Sequence, residues 1–247
     1  MEPDKISEIV RLTSNLSVLL PLIIYAVRFR HAPRRVHIIG TLIIVAGLCD
    51  LAGFFMFKER HSTALLFNAY YALLFFLLSW FYYEILFISS RRVVVLVGFA
   101  VYLQSFLLVS LYIQGIFEYQ TIMWIITGVI MIIYSISYAF YSLTIPPNVN
   151  SRYYGPVWIN AGVLIYFVLT LVLFALSKYA LNHAEPAQSA MLWSFHNLNN
   201  ILKNILFGIG IYFYKKKNVD FTNTDRSHYD KAGLYNEPVP QEDILPN

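Results

Sequence analysis

The sequence predicts an all-α polytopic membrane protein: a bundle of seven transmembrane helices followed by a polar tail. Hydrophobic residues make up 58% of the 247 residues and charged residues only 13%, which is not the composition of a soluble domain of this size. The apolar residues also fall in runs of about 20, the length that crosses a bilayer as a helix. Residues 1–214 therefore form the predicted membrane domain. Residues 215–247, which are too polar to bury a core, form a mobile cytoplasmic tail.

Seven apolar runs follow one another along the chain, and each is long enough to span about 30 Å as a helix. The first run is the weakest because Arg11 and Asn15 interrupt it, and Pro21 predicts a local kink within it. The connections are short, so they leave no room for a further domain between helices. The runs comprise residues 6–28, 37–57, 64–88, 93–114, 121–144, 154–177 and 189–214.

The basic residues predict the orientation of the bundle. Five of them, at positions 5, 11, 58, 60 and 178, lie on the side of the N-terminus. Ten lie on the other side, so the positive-inside rule places the N-terminus outside and the C-terminus in the cytoplasm. Residues 1–7 are followed by no small-residue cleavage pattern, so we expect the first run to be retained. The ten are Arg28, Arg30, Arg34, Arg35, Arg91, Arg92, Arg152, Lys215, Lys216 and Lys217.

Polar residues interrupt the seventh run. His196, Asn199 or Asn200, Lys203 and Phe207 are spaced by three or four positions, so they share one face of a helix. A lysine at the centre of a membrane helix costs about 2.5–3.5 kcal/mol on insertion scales, so such groups need other helices or water around them. This face therefore lines a predicted interior, and we expect it to look towards the helices of the first three runs.

Depth along the helices places several polar groups in the outer half of the membrane. Asn68 lies at about 6 Å from the outer boundary, and Asp50 and His196 both lie at about 10 Å. An acid at this depth must be neutral, paired or hydrated, which makes Asp50 the first candidate for a functional role. The alternative is that the amides only hold helices together, the seventh to the sixth or the first. The predicted ligand-binding residues are Asp50, Asn68, Tyr71, His196, Asn197 and Asn200.

A second layer of polar groups lies deeper. Lys203 sits at about 20 Å, Asn160 at about 26 Å and Glu84 near the cytoplasmic boundary. A lysine in mid-membrane can serve as a counter-ion or as a Schiff-base amine, so these three residues are the candidates for an ion pair or a chromophore site. For Glu84, simple solvation at the boundary is the alternative.

The sequence predicts no enzyme. His196 is the one histidine at membrane depth, so the ligands of a zinc site do not converge, and we expect no metal. Motifs for an activated serine or for phosphate binding are absent, which leaves no catalytic residues and no nucleic-acid partner to predict. Cys49 is the single cysteine, so an internal disulfide is excluded.

Short motifs occur at residues 19–23, 68–71, 81–82, 158–162 with 165–166, and 192–197 with Asn200 and 204–206. They resemble an uncharacterised family of bacterial seven-helix inner-membrane proteins found beside sensor kinases. The resemblance implies an integral protein of the bacterial cytoplasmic membrane, with the lipid bilayer and a sensor kinase as partners. It implies no established activity, and it is compatible with an oligomer.

Residues 199–208 also resemble helix 7 of the retinal-binding rhodopsins, in which a lysine carries retinal as a Schiff base and a Phe-Gly pair follows. Lys203 takes the position of that lysine. Asn199 stands where those proteins have an acid, so Asp50 or Glu84 would have to supply the counter-ion. Retinal is the cofactor that this second resemblance implies.

Three functions are compatible with these patterns. The leading hypothesis is a membrane receptor or an accessory protein of a sensor in signal transduction, which binds a small ligand or a proton in a polar cavity within the bundle. The second is a retinal-binding photoreceptor or light-driven ion transporter that uses Lys203. The third is a proton-coupled transporter in which Asp50, His196 and Lys203 form a series of titratable groups across the membrane.

Overall fold

The computed structural model describes residues 3–59, 62–86, 89–143, 154–183 and 186–214, without the side chains of residues 3–6, 57, 89–90, 172 and 174–193. All regular structure in these ranges is helical, as the sequence predicts. The predicted cytoplasmic tail and Arg152 lie outside the described residues. The α-helices are α1 (Pro3–Ser17), α2 (Leu19–Arg28), α3 (Arg34–Lys58), α4 (Ala64–Ile85), α5 (Ser89–Leu108), α6 (Thr121–Ser142), α7 (Gly155–His183) and α8 (Pro186–Phe213).

The first apolar run forms two helices, because the chain breaks at Val18 between α1 and α2. Pro21 explains the break, since proline has no N–H to donate and its ring clashes with the carbonyl four residues earlier. A 3₁₀ turn at Phe29–His31 ends the run. The second departure from a regular helix is a π-helical turn at Val109–Ile113, which follows α5.

Five helical stretches are long and apolar enough to cross a membrane, which gives the chain the character of an integral membrane protein. In the described part of α7, residues Gly155–Leu171 form a shorter apolar helix. The five stretches are Ser7–His31, Arg34–Met56, Ala64–Ile85, Arg91–Ile113 and Thr121–Ser142.

Packing places α8 against three other helices: α7, α1 and α2. Helix α7 also packs on α6, and α6 packs on α4 and α5. Helix α3 packs on α2 and α4. The bundle thus brings α3 and α4 opposite α7 and α8, and the largest fully buried side chains, among them Phe75, Tyr82, Tyr134 and Phe167, fill the space between helices.

Hydrogen bonds between side chains show that α1 and α8 run parallel. Ser194 Oγ donates to Ser7 Oγ at 3.1 Å near the start of both helices. Two further bonds in the same order continue the seam, from Asn200 to Ser14 at 3.1 Å and from Asn204 to Ser17 at 2.7 Å. Partners that advance together along both helices require a parallel pair.

Glycines allow the antiparallel helices α7 and α8 to approach closely. A Cβ atom on Gly210 would lie 3.0 Å from the Gly155 carbonyl oxygen and 3.1 Å from the Ile159 nitrogen. A Cβ atom on Gly162 would lie 3.1 Å from the ring of Phe207. Small residues at helix contacts are typical of membrane bundles, where association depends on van der Waals packing.

Candidate functional site

A small cavity lies between α3, α4, α7 and α8, where the two helix pairs face each other. Most of its wall is aliphatic or aromatic, and Tyr70, Tyr166, Lys203 and Asn204 add polar groups. The space amounts to about 10 Å³ for the centre of a water-sized sphere. A cavity of this size holds about one water molecule, and polar walls are what keep such a water in place.

Lys203 brings the charge to this cavity. Its side chain is 8% exposed, and its Nζ lies 4.6 Å from the centroid of the Tyr166 ring on α7. A desolvated cation over an aromatic face gains about 2 kcal/mol. Asp50 of α3 interacts electrostatically with the same ammonium group. The two side chains thus interact at a distance greater than that of a direct ion pair.

Tyr166 is the residue that the other candidates share. The His196 ring lies 5.9 Å from the Tyr166 ring, centroid to centroid. Tyr71 of α4 and Tyr166 interact through their hydroxyl groups. The structure thus places Asp50, Tyr71, His196 and Lys203 around Tyr166. In this interior site the tyrosine hydroxyl can donate a proton, Asp50 and His196 can change charge, and Lys203 supplies a cation.

Asn199 adds a hydrogen-bond donor to the same face of α8. It is 4% exposed, and its Nδ2 has no hydrogen-bond partner in the described part of the chain. His196 and Lys203 lie three residues before it and four residues after it, so all three side chains are on one face.

The other asparagines of α8 contribute to packing. Asn200 and Asn204 donate to serines of α1 and so form the seam between α1 and α8. Asn197 is half-buried on the same helix. Within the predicted polar stripe, His196 and Lys203 therefore lie towards Tyr166 and Asn200 bonds to α1, while Asn204 bonds to α1 and also lines the cavity.

Asn68 holds a loop and lies apart from the residues around Tyr166. Its Nδ2 donates to the carbonyl oxygens of Ile116 at 3.0 Å and Glu118 at 2.6 Å, and its Oδ1 accepts from the Gln120 N–H at 3.1 Å. These bonds use both donors of the amide and one position on its oxygen. Asn68 therefore fixes the connection between α5 and α6.

Asn160 belongs to a buried hydrogen-bonded node that joins three helices. The Tyr82 hydroxyl of α4 donates to Asn160 Oδ1 of α7 at 2.8 Å and contacts Ser135 Oγ of α6 at 2.7 Å. Tyr82 and Ser135 are fully buried. The structure therefore places Asn160 in helix packing, away from the Lys203 ammonium.

Glu84 lies at the end of α4, where it contacts an arginine. Arg34 Nη1 is 3.5 Å from Glu84 Oε1, and Trp80 Nε1 donates to the same oxygen at 3.3 Å. The Arg34 guanidinium also lies over the Trp80 ring, 5.1 Å from its centroid. Glu84 thus contacts Arg34 and Trp80 at the end of α4, whereas Asp50 is the acid that interacts electrostatically with Lys203.

The sequence analysis did not single out Ser135, Ser14 or Ser17, and it gave Tyr82 only as part of a motif. The spacing of Ser14 and Ser17 with Ser7 on one helical face was the available signal for the seam with α8. For Tyr82 and Ser135 the sequence holds no such signal, since their pairing depends on how α4 and α6 are arranged in space.

No protein-family model, no curated protein and no solved structure matches this chain. The two family resemblances therefore remain predictions from short motifs. Within the described ranges, no group of three or more His, Cys, Asp or Glu side chains is arranged to hold a metal ion.

Proposed function

We propose that the chain is a membrane receptor or an accessory subunit of a sensor, and that protonation of a buried polar site changes the contact between α3 and α8. The observation that carries this proposal is the Lys203 ammonium, which is buried over Tyr166 and acted on by Asp50 from the opposite side of the bundle. A site for one water molecule favours a proton, or a ligand of similar size, as the signal.

The mechanism is a two-state bundle. With Asp50 ionised, its attraction to Lys203 holds α3 towards α8, whose packing contacts are otherwise with α7, α1 and α2. A proton on Asp50 removes this attraction and leaves the Lys203 ammonium with the Tyr166 ring alone. The equilibrium then shifts to a state in which α3 lies further from α8, since a ligand acts only through its differential interaction with two states.

The proposed topology has seven crossings, with α1 and α2 together forming the first, the N-terminus outside and the C-terminus in the cytoplasm. An odd number of crossings is supported by the parallel arrangement of α1 and α8. Arg28 at the end of α2 also supports an odd number of crossings. Its guanidinium donates to the carbonyl groups of Ile211 and Tyr212 at the end of α8 and to that of Tyr214, just after the helix. A fluorescent or enzymatic reporter fused after residue 247 tests the orientation and is expected to be active on the cytoplasmic side.

Cys49 provides the test of the switch. It is the single cysteine of the chain, is 5% exposed and directly precedes Asp50. We would label the full-length protein in lipid nanodiscs with a membrane-permeant maleimide. Asp50→Asn and Lys203→Met each break the attraction, so both are expected to react faster than the wild type at neutral pH. Lowering the pH should bring the wild-type rate towards that of Asp50→Asn measured under the same conditions.

Two comparisons separate this result from simpler causes. An effect of the Asp50 charge on the thiol alone would speed labelling in Asp50→Asn and slow it in Lys203→Met, which contradicts the proposal. Lys58→Met replaces an exposed lysine on α3, the helix that carries Cys49. It is the matched control and should react with the maleimide at the wild-type rate. Proton flux through the protein in liposomes, abolished by Asp50→Asn, would instead identify a transporter.

A further inference from the structure

Arginines at one end of the bundle lie over aromatic rings. This end is formed by the last turns of α2, α4, α6 and α8 together with the first turns of α3 and α5. A guanidinium over an exposed aromatic ring is held in place by about 0.5–1 kcal/mol, and its N–H groups still point outward. The pairs are Arg28 over Tyr212 at 5.3 Å, Arg34 over Trp80 at 5.1 Å, Arg91 over Tyr141 at 5.3 Å and Arg92 over Tyr83 at 4.9 Å.

Two of these pairs share the last turn of α4. Trp80 and Tyr83 lie three residues apart on one face of that helix, and both are exposed, by 44% and 38%. Arg34 reaches Trp80 from α3, and Arg92 reaches Tyr83 from α5. The last two turns of α4 therefore present an exposed aromatic surface, with one guanidinium from α3 and one from α5 over its rings.

Both guanidinium groups keep donors that have no partner in the part of the chain that the structure describes. The Arg34 side chain is 69% exposed, and its ion pair with Glu84 is long at 3.5 Å. Arg92 commits its Nε to the Leu86 carbonyl at 3.2 Å. A guanidinium has five N–H donors, so each arginine can still bind an anion. Glu84 offsets only one of the two positive charges.

We propose that the last turn of α4 binds an anionic phospholipid, with the phosphate between Arg34 and Arg92 and the acyl chains against Trp80 and Tyr83. Arginine binds phosphate through paired N–H groups, and the site's net positive charge favours a headgroup without a cation of its own. Trp and Tyr rings are favoured at the membrane interface, so they suit the part of the lipid just below the phosphate, where the acyl chains begin. This site is distinct from the interior around Tyr166.

Trp80 reports directly on the occupant. The full-length protein is reconstituted in vesicles of phosphatidylcholine and phosphatidylglycerol, with brominated acyl chains on one lipid at a time. Subtracting the emission of Trp80→Phe isolates the quenching at Trp80. We expect the anionic lipid to be enriched beside Trp80 relative to its share of the vesicle, by about fivefold for each arginine that contacts it.

Four variants with single substitutions decide the matter. Arg34→Gln and Arg92→Gln should each reduce the enrichment about fivefold, while Glu84→Gln should increase it by removing the opposing charge. Arg30→Gln, which removes an exposed cation at the same end, is the matched control and should leave it nearly unchanged. Equal quenching by both lipids in the wild type overturns the proposal. So does a loss in Arg30→Gln as large as in Arg34→Gln, because attraction to surface charge in general would then explain the enrichment.

Discussion

Replacing Lys203 with methionine removes the ammonium group from the interior and keeps an unbranched side chain of similar length. The substitution loses the interaction of Nζ with the Tyr166 ring at 4.6 Å, worth about 2 kcal/mol when desolvated. It also leaves Asp50 without the cation that acts on it. For two groups in direct contact, removing one partner of a buried ion pair costs about 3–5 kcal/mol in soluble proteins, which is an upper bound here because Asp50 and Lys203 interact at longer range.

Protonation of Asp50 limits that cost and makes it depend on pH. With an ordinary carboxyl pKa of about 3.9, protonating the acid costs about 4 kcal/mol at pH 7 and about 1.5 kcal/mol at pH 5. When Lys203 is absent, Asp50 takes up a proton if the free energy of protonation is smaller than the free energy of burying the unpaired charge. We therefore expect Lys203→Met to lower the free energy of unfolding by about 2 kcal/mol from the lost Tyr166 contact, plus up to about 4 kcal/mol from Asp50 at pH 7 and up to about 1.5 kcal/mol from Asp50 at pH 5.

Unfolding in mixed micelles with increasing dodecyl sulfate, followed by far-ultraviolet circular dichroism, measures this difference. In the Asp50→Asn background no carboxyl is present, so Lys203→Met should cost about 2 kcal/mol at both pH values, the loss of the Tyr166 contact alone. A cost that is equal at the two pH values in the wild-type background, or unchanged by Asp50→Asn, would refute the reasoning. Lys58→Met controls for the removal of a lysine in general.

Three further substitutions test the packing around the site. Tyr82→Phe removes two hydrogen bonds, of 2.7 and 2.8 Å, and should lower the free energy of unfolding by about 1–2 kcal/mol, whereas Tyr83→Phe, at the exposed neighbouring position, should change it little. Arg28→Gln frees the last carbonyl groups of α8, so hydrogen exchange measured by mass spectrometry should speed up in its final turn, with Arg30→Gln as the unaffected control. Gly210→Ala forces α7 and α8 apart and should cost about 1–3 kcal/mol in the same unfolding titration, while Gly115→Ala, which meets open space, should be neutral.

The membrane-spanning stretches follow from the sequence because their signal is local. The predicted runs 37–57, 64–88, 93–114 and 121–144 match helices α3 to α6, with ends that differ by a few residues. Each such segment is recognised from its own length and hydropathy, independently of the helices that it packs against. The kink expected at Pro21 appears as the break between α1 and α2, since the missing N–H is also a local property.

The candidate site shows what a local signal leaves open. The sequence marks Lys203, His196, Asn200 and Asn204 as costly in a membrane, and the structure satisfies them in different ways. The first two lie against Tyr166, while the two asparagines bond to serines of α1. The helix that a polar side chain meets depends on the rotation and neighbours of its own helix, so the sequence could not assign these partners.

Asn68, Asn160 and Glu84 make the same point. The sequence placed Asn68 in an outer layer and the other two in a deeper layer, and the structure adds their partners: Asn68 binds the loop between α5 and α6, Asn160 binds Tyr82, and Glu84 contacts Arg34. The sequence alone determined that the chain consists of apolar helices long enough to cross a membrane, with polar groups that require partners. Only the tertiary structure decided which partners they have, because depth fixes one coordinate of a side chain and helix packing fixes the other two.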